Sequence, residues 1–120
     1  MKDKSAKSMG TILLKDTKPL TIDDFFDRIF YRKKQRIYHA MKLFEAIKDG
    51  SINTTSFQEM CKKLNITVGV YYDILRAFKR LGIIYKTDGE IHLSGGFLTR
   101  LEDMIDLYEN LTKFRCKWKR

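Results

Sequence analysis

The chain has 120 residues and a formal net charge of +9 at pH 7, from 24 basic and 15 acidic residues. This length predicts one domain with a modest core, and a hydrophobic content of 43% excludes a wholly disordered chain. The basic excess favours a polyanionic partner, because each Lys or Arg near a phosphate releases condensed counterions. Charge alone leaves DNA, RNA and an acidic membrane open as that partner.

The chain has two cysteines and no long apolar stretch. Cys61 and Cys116 fit no short disulfide or zinc spacing. The longest aliphatic run, residues 12–14, is too short for a signal peptide or a membrane span, so a cytoplasmic location is expected. His39 and His92 are the only histidines, and no phosphate loop, metal cluster or nucleophile motif occurs. The sequence therefore predicts a non-enzyme without cofactor or metal.

Residues 1–20 are predicted to form a flexible basic arm. They carry five lysines against two aspartates, a net charge of +3, and show no sustained hydrophobic period. This pattern favours disorder over an arm that follows a DNA groove. Residues 12–14 are a candidate extended piece at the end of the arm.

A helix is predicted to begin at Thr21, an N-cap followed by Asp23 and Asp24 in the first turn. Apolar residues with helical spacing follow it. They are Ile22, Phe25, Phe26, Ile29, Phe30, Ile37, Ala40, Met41, Phe44 and Ile47. This stripe has no apolar residue at Lys33, so two helices and one bent helix both remain open.

The break in that stripe coincides with a basic run, Arg32, Lys33, Lys34 and Arg36. Four cations at this spacing could clamp a phosphate or simply form a solvated helix face. Beside a DNA-binding motif the two interpretations carry equal weight.

A second helical region is predicted after a short strand at residues 51–54. Ser56 and Glu59 stand in capping-box relation, and Thr55 is an alternative cap. The helix that follows has one apolar face, which comprises Phe57, Met60, Cys61 and Leu64. A tight turn then follows, because Asn65 tolerates the left-handed conformation and Ile66 can be buried between two helices.

Thr67 is predicted to cap the next helix, which ends at Gly82. Its inward stripe comprises Tyr71, Ile74, Leu75, Phe78 and Leu81. Residues 83–86 and 90–93 are strand-like, and Asp88-Gly89 suits a two-residue type I′ connection because both positions need positive φ. Two capped helices joined by a tight turn and followed by a short hairpin indicate a winged helix-turn-helix.

Residues 97–120 carry an uninterrupted helical pattern with coiled-coil spacing. The predicted dimerisation residues are Phe97, Leu101, Met104, Ile105, Tyr108 and Leu111. Residues 97–112 have a net charge of −3 and the last eight residues a net charge of +5. Because an antiparallel pair places acidic beside basic segments, an antiparallel homodimer is expected.

The predicted fold class is therefore mainly α with a small β-hairpin (α+β), a winged helix-turn-helix with an extra N-terminal helix and a long C-terminal dimerisation helix. The predicted boundaries are a flexible arm at 1–20, the winged domain at 21–96 and the coiled-coil helix at 97–120.

From Leu64 to Ile84 the chain resembles the recognition unit of small prokaryotic winged-helix transcription regulators. Its Leu-Asn-Ile-Thr is similar to their usual Leu-Gly-Ile-Ser, and the residues that follow this segment match as well. The matching positions are Leu75, Phe78, Leu81, Gly82, Ile83 and Ile84. With its leading and terminal helices, the chain is similar to short archaeal regulators that pair through an antiparallel coiled coil.

This resemblance implies a homodimer on promoter DNA, with a recognition helix at about 67–82 in the major groove and a wing at about 85–93 beside the backbone. The implied DNA-binding residues are Thr67, Val68, Gly69, Tyr72, Asp73, Arg76, Lys79, Arg80 and Lys86, joined by Lys33 and Lys34 of the basic run. The wing departs from the family's basic pattern, since Asp88 and Glu90 outweigh Lys86.

The function expected from the sequence is sequence-preferring DNA binding by a nucleoid-associated transcription regulator, with no membrane partner. Two alternatives are an architectural chromatin protein with little sequence preference and a winged-helix protein-interaction module. The operator, the regulated genes and any small-molecule effector stay open.

Overall fold

A computed structural model describes residues 11–14 and 21–116. The first three helical elements are α1 (Ile22–Ile29), a 3-10 turn (Lys34–Arg36) and α2 (Ile37–Asp49). Strand β1 (Ile52–Asn53), a second 3-10 turn (Thr54–Ser56), α3 (Phe57–Leu64) and α4 (Val68–Leu81) follow. The chain continues through β2 (Ile84–Thr87), β3 (Glu90–Leu93) and α5 (Gly96–Thr112).

The predicted fold class is confirmed, because the described chain is mainly helical with a small antiparallel sheet, in the order expected of a winged helix-turn-helix. The sheet has the order β1-β3-β2, with Ile52 opposite Ile91 and Ile84 opposite Leu93. Asp88 and Gly89 at the hairpin both have positive φ, 52° and 75°, which is what a type I′ connection requires. The sheet therefore closes one side of the helical core.

The core is a continuous cluster of buried side chains from α1, α2, α4 and the sheet. Phe26 and Phe30 lie edge-on to Phe78, and Phe44 contacts both Phe26 and Phe78. Edge-to-face pairs of this kind add to the apolar area that they bury. The expected inward position of Ile22 is wrong, since its side chain is 70% exposed at the first turn of α1.

Residues 21–48 form two helices. Thr21 is the N-cap of α1, as predicted. In a full capping box, the Thr21 hydroxyl accepts the Asp24 N–H and the Asp24 carboxylate accepts the Thr21 N–H. The helix stops at Phe30, and the 3-10 turn bridges to α2. A continuous helix would place Lys33 on the same inward stripe as Phe30. Because the helix breaks after Phe30, that side chain is buried and Lys33 stays outside the core.

The predicted capping box at Ser56 is wrong. Ser56 precedes α3 but makes no side-chain capping hydrogen bond. The Asn53 side chain serves instead: its Oδ1 accepts from the backbone N–H of Thr55 at 2.9 Å and from the Thr55 hydroxyl at 2.7 Å. Asn53 is the N-cap of the 3-10 turn that leads into α3, and Ser56 is the last residue of that turn.

The predicted helix to the C-terminus is also wrong within the described chain. Helix α5 ends at Thr112 because Lys113 adopts the left-handed conformation (φ 69°) and its N–H returns to the Glu109 carbonyl. The Glu109 carboxylate then accepts from the Cys116 backbone N–H at 2.6 Å. These bonds satisfy groups that a continuing helix would use.

The predicted arm at residues 1–20 is described only at 11–14, where Leu13 donates its N–H to the Arg28 carbonyl at 2.8 Å. Ile12 packs against the core cluster. The remainder of the arm, and residues 117–120 of the predicted coiled coil, lie outside the described residues.

The two candidate caps predict different stabilities. We expect Asn53→Ala to lower the free energy of unfolding by about 1 kcal/mol, because it removes a side-chain N-cap. The matched change Ser56→Ala should cost no more than a few tenths, about 0.3 kcal/mol, because that hydroxyl makes no capping bond. Urea denaturation of both variants measures the difference. A larger loss from Ser56→Ala would contradict the assignment of the cap.

Candidate nucleic-acid interface

The turn between α3 and α4 has the geometry that presents α4 to solvent. Asn65 is left-handed (φ 58°, ψ 50°), as predicted, and Ile66 donates its N–H back to the Cys61 carbonyl at 3.0 Å. The predicted cap Thr67 accepts the Val70 N–H at 3.1 Å through its hydroxyl. These three local features stop α3 and start α4 within a few residues.

Helix α4 divides its side chains between the core and the surface. Tyr71, Ile74 and Phe78 are fully buried, while the opposite face is open. The predicted DNA-binding residues of α4 that are exposed are Thr67, Val68, Gly69, Tyr72, Arg76, Lys79 and Arg80. Only Asp73 among them is partly buried, so the helix presents seven of the eight predicted positions to solvent.

Asp73 joins two arginines rather than standing free toward a groove. Its Oδ2 accepts from Arg36 Nη1 at 2.7 Å, and its Oδ1 accepts from Arg76 Nη1 at 2.8 Å. The Arg36 and Asp73 side chains are 12% and 24% exposed, whereas Arg76 is 51% exposed. Asp73 therefore fastens the 3-10 turn before α2 to α4 and holds Arg76 at the surface.

This contact changes the interpretation of the basic run. Arg36 is committed to Asp73, and the Arg32 guanidinium lies 5.3 Å from the centre of the Tyr31 ring. Lys34 is exposed and lies 3.9 Å from an Asp27 oxygen, an ion pair of little strength in solvent. Within this run, Lys33 and Lys34 are the predicted phosphate contacts, and Arg36 positions α4.

A groove separates the outer face of α4 from the wing. It encloses about 320 Å³ and is floored by Tyr71, Leu75, Ile84 and Ile91. Its rim carries hydroxyl, aromatic and cationic side chains. They are Thr54, Tyr72, Arg76, Lys79, Tyr85 and Lys86. Sequence reasoning placed Lys79 and Lys86 on separate elements, and the fold brings both to one groove.

Two of the tyrosines that line this groove, Tyr71 and Tyr85, differ in their exposure. Burial raises the pKa of Tyr71 to about 12, so its phenol stays neutral at physiological pH. Tyr85, missed as a site residue, is half-exposed and stacks on His92 with ring centres 5.0 Å apart. The signal that could have found it was its position on the predicted strand directly before Lys86, a predicted DNA-binding residue.

Acidic side chains on the wing are partly engaged by neighbours. The Glu90 carboxylate accepts from the Ser51 hydroxyl at 3.1 Å and lies 3.6 Å from His92 Nε2. Asp88 lies at the exposed tip of the hairpin. The wing therefore presents Lys86 along its strand and a carboxylate at its tip.

Most predicted dimerisation residues lie on an open face of α5. Leu101, Met104, Ile105, Tyr108 and Leu111 are exposed, and no residue of α5 is buried. Phe97 differs, because its ring packs edge-on against Phe25 of the same chain at 6.1 Å. Phe97 therefore anchors the start of α5 to the domain.

Within residues 11–14 and 21–116, no group of three or more His, Cys, Asp or Glu side chains could hold a metal ion. No helix in the same part of the chain combines the length and apolar character needed to cross a bilayer.

A model described as an archaeal family matches residues 18–112 of the chain. Because this match covers well over half of the chain, the protein belongs to that archaeal family. No curated protein and no solved structure matches it.

The Asp73 contacts predict unequal couplings. In a double-mutant cycle, Arg36→Gln with Asp73→Asn should give a coupling free energy of about 1–3 kcal/mol, because both groups are shielded and charged. The matched cycle of Arg76→Gln with Asp73→Asn should give less than about 1 kcal/mol, because Arg76 is half in solvent. Urea denaturation of the six proteins measures both. Equal couplings would contradict the structural role of Arg36.

Proposed function

We propose that this protein binds duplex DNA as a homodimer and regulates transcription, with α4 in the major groove and the β2–β3 wing beside the backbone. The observation that carries the proposal is the outer face of α4. There, exposed Tyr72, Arg76 and Lys79 border one groove together with Lys86 of the wing. Membership of an archaeal protein family is compatible with a small regulator of this kind.

The dimensions of α4 suit this role. Its 14 residues give a rod about 21 Å long, and a major groove about 12 Å wide admits one helix. The helix is supported along its inner face by the core, and Val68 and Gly69 in its N-terminal turn are exposed. That end of a second helix is where base contacts are made in helix-turn-helix proteins.

The proposed readout divides between two chemistries. Thr67, Val68 and Tyr72 offer hydroxyl and apolar contacts, the latter suited to thymine methyl groups. Arg76 can place two donors on guanine, and Asp73 fixes the direction in which its guanidinium projects. Gly69 is exposed and has no side chain, so the backbone of the helix could approach a base edge closely at this position.

The proposed phosphate contacts surround this reading surface. Lys79 and Arg80 lie one turn beyond Arg76, and Lys86 faces them from the wing. Lys33 and Lys34 belong to the turn that Arg36 fastens to α4. Cations at these places position the helix, whereas the α4 face would carry sequence preference.

The proposed dimer forms through α5. A helix with leucine, methionine and tyrosine exposed along one side is a face that a second copy can cover. Acidic Glu102, Asp103, Asp106 and Glu109 precede the basic Lys113 and Arg115. Lys113 and Arg115 lie just beyond the end of α5 at Thr112, so an antiparallel copy brings this basic end toward the N-terminal half of the partner helix, whereas a parallel copy would set acidic beside acidic residues.

Selection of bound fragments from random duplexes tests the DNA proposal. We expect a motif, and binding that weakens by about 0.9 log unit per phosphate contact for each tenfold rise in salt. Replacing Tyr72 and Arg76 should reduce discrimination between sequences by about 1–3 kcal/mol, because base contacts are lost. Replacing Lys33 and Lys34 should weaken all sequences alike.

Each contrary result has a defined meaning. Tight binding without a selected motif would contradict a sequence-preferring regulator and favour an architectural chromatin protein. Equal losses on every sequence from the Tyr72 and Arg76 variant would overturn the readout. No binding to any duplex at low salt would refute the function and leave the protein-interaction alternative.

Light scattering tests the dimer. We expect the full chain to have twice the mass of the 14.2 kDa protomer. Met104→Glu should yield the protomer mass, because it places a charge in the middle of the proposed apolar interface. The matched change Asn110→Glu adds the same charge off that face and should leave the dimer intact. A wild-type protein at protomer mass would contradict the proposal.

A further inference from the structure

A second cleft lies on the other side of the wing, between its base and the start of α5. It encloses about 700 Å³ and is shallow and open to solvent. Lys79, Lys86 and Arg100 line it, together with Gly82, Gly96 and Asp88. Lys79 and Lys86 also line the groove beside α4, so these two lysines form a ridge between the two depressions.

Arg100 lies against the backbone at the base of the wing. A Cβ atom at Gly96 would meet the Arg100 Nη1 atom at 2.9 Å, and a Cβ atom at Gly82 would clash with the same atom. The guanidinium therefore occupies space that two glycines leave open. Gly82 is also left-handed (φ 81°), so one residue ends α4 and makes room for Arg100.

No carboxylate among the described residues neutralises the three cations of this cleft. Across the described ranges, Lys79, Lys86 and Arg100 form no ion pair, whereas Arg36 and Arg76 are held by Asp73. Asp88 is the single acidic residue among the described residues that line the cleft. The cleft therefore holds a local excess of positive charge that faces solvent.

We propose that this cleft binds a phosphate of the DNA backbone beyond the wing, with Arg100 as its principal contact. The inference rests on the proposed function and extends its contact surface. A strand that leaves the groove at Arg76 would cross the ridge of Lys79 and Lys86 and reach Arg100. The guanidinium supplies paired donors that match two phosphate oxygens.

The openness of the cleft favours a polymer over a free anion. A lone phosphate needs an enclosed site with several convergent donors, whereas a continuous backbone needs an unobstructed path with spaced cations. Arg100 belongs to α5, the proposed dimer helix, so the contact would tie the DNA strand to the element that sets the distance between two wings.

The test measures DNA binding by the full-length dimer and its Arg100→Gln variant over a range of salt. We expect the variant, which loses one contact in each protomer, to lose about 25-fold to 100-fold in affinity near 0.1 M salt and about 1.8 from the salt slope, as for two phosphate contacts. The loss should be equal on a selected duplex and a random one, because a phosphate carries no sequence information. Lys48→Gln removes the same charge from a residue that lines neither depression and should retain the wild-type slope.

A second variant keeps the charge and changes only the geometry. Gly96→Ala places a methyl group 2.9 Å from the Arg100 guanidinium and should displace it, with a smaller loss of affinity and an unchanged net charge. Circular dichroism and light scattering establish that each variant is folded and dimeric. Dissociation of the dimer by Arg100→Gln would assign Arg100 to the subunit interface and overturn the proposal.

The remaining outcomes separate this proposal from the proposed function. If wild-type protein binds duplex DNA and Arg100→Gln keeps the wild-type salt slope, the phosphate site in the cleft is refuted while the proposed function stands. If wild-type protein binds no duplex, the function fails and the backbone site fails with it. Thermal stabilisation of wild-type protein by inorganic phosphate that is lost in Arg100→Gln, without a change in DNA binding, would identify a free anion as the ligand and overturn the backbone assignment.

Discussion

The structure depends on the burial of one face of α4. Tyr71, Ile74 and Phe78 are enclosed by side chains from α1, α2 and the sheet, so these elements pack around this helix. Removing such side chains from water contributes about 1.5–3 kcal/mol each. A helix that is held this firmly on one face can present the other without rearrangement. The core therefore holds the polar outer face in a fixed position, as the proposed contact with DNA bases would require.

Ion pairs determine how much positive charge the outer face of α4 carries. Asp73 cancels much of the charge of the two arginines that it binds, so the outer face of α4 is less cationic than the chain's +9 implies. Lys79, Lys86 and Arg100, which form no ion pair with the described residues, lie further along. In the proposed complex, sequence preference and affinity would therefore come from adjacent but different surfaces, as phosphate and base contacts generally do.

The sequence predicts local features well where one residue has a strong conformational preference. Asn65, Gly82 and Asp88-Gly89 all adopt the expected positive φ, because few other residues tolerate it. The Ser56 cap failed because Ser56 ends a 3-10 turn that runs into α3, and the side-chain cap lies at Asn53, where that turn begins. The Arg36 contact with Asp73 spans 37 residues, and no local pattern signals it.

Two contacts at the start of α5 decide how that helix relates to the domain. Phe97 packs on Phe25, and the Arg100 guanidinium fills the space beside Gly82, so the first turn is anchored while the next three are exposed. Because the helix is anchored, its direction relative to the domain is fixed, and this direction determines the orientation of any partner that packs on its open face. If a second copy covers it, the relative placement of the two α4 helices follows from these contacts. The spacing of half-sites on DNA would then be a property of residues that touch no base.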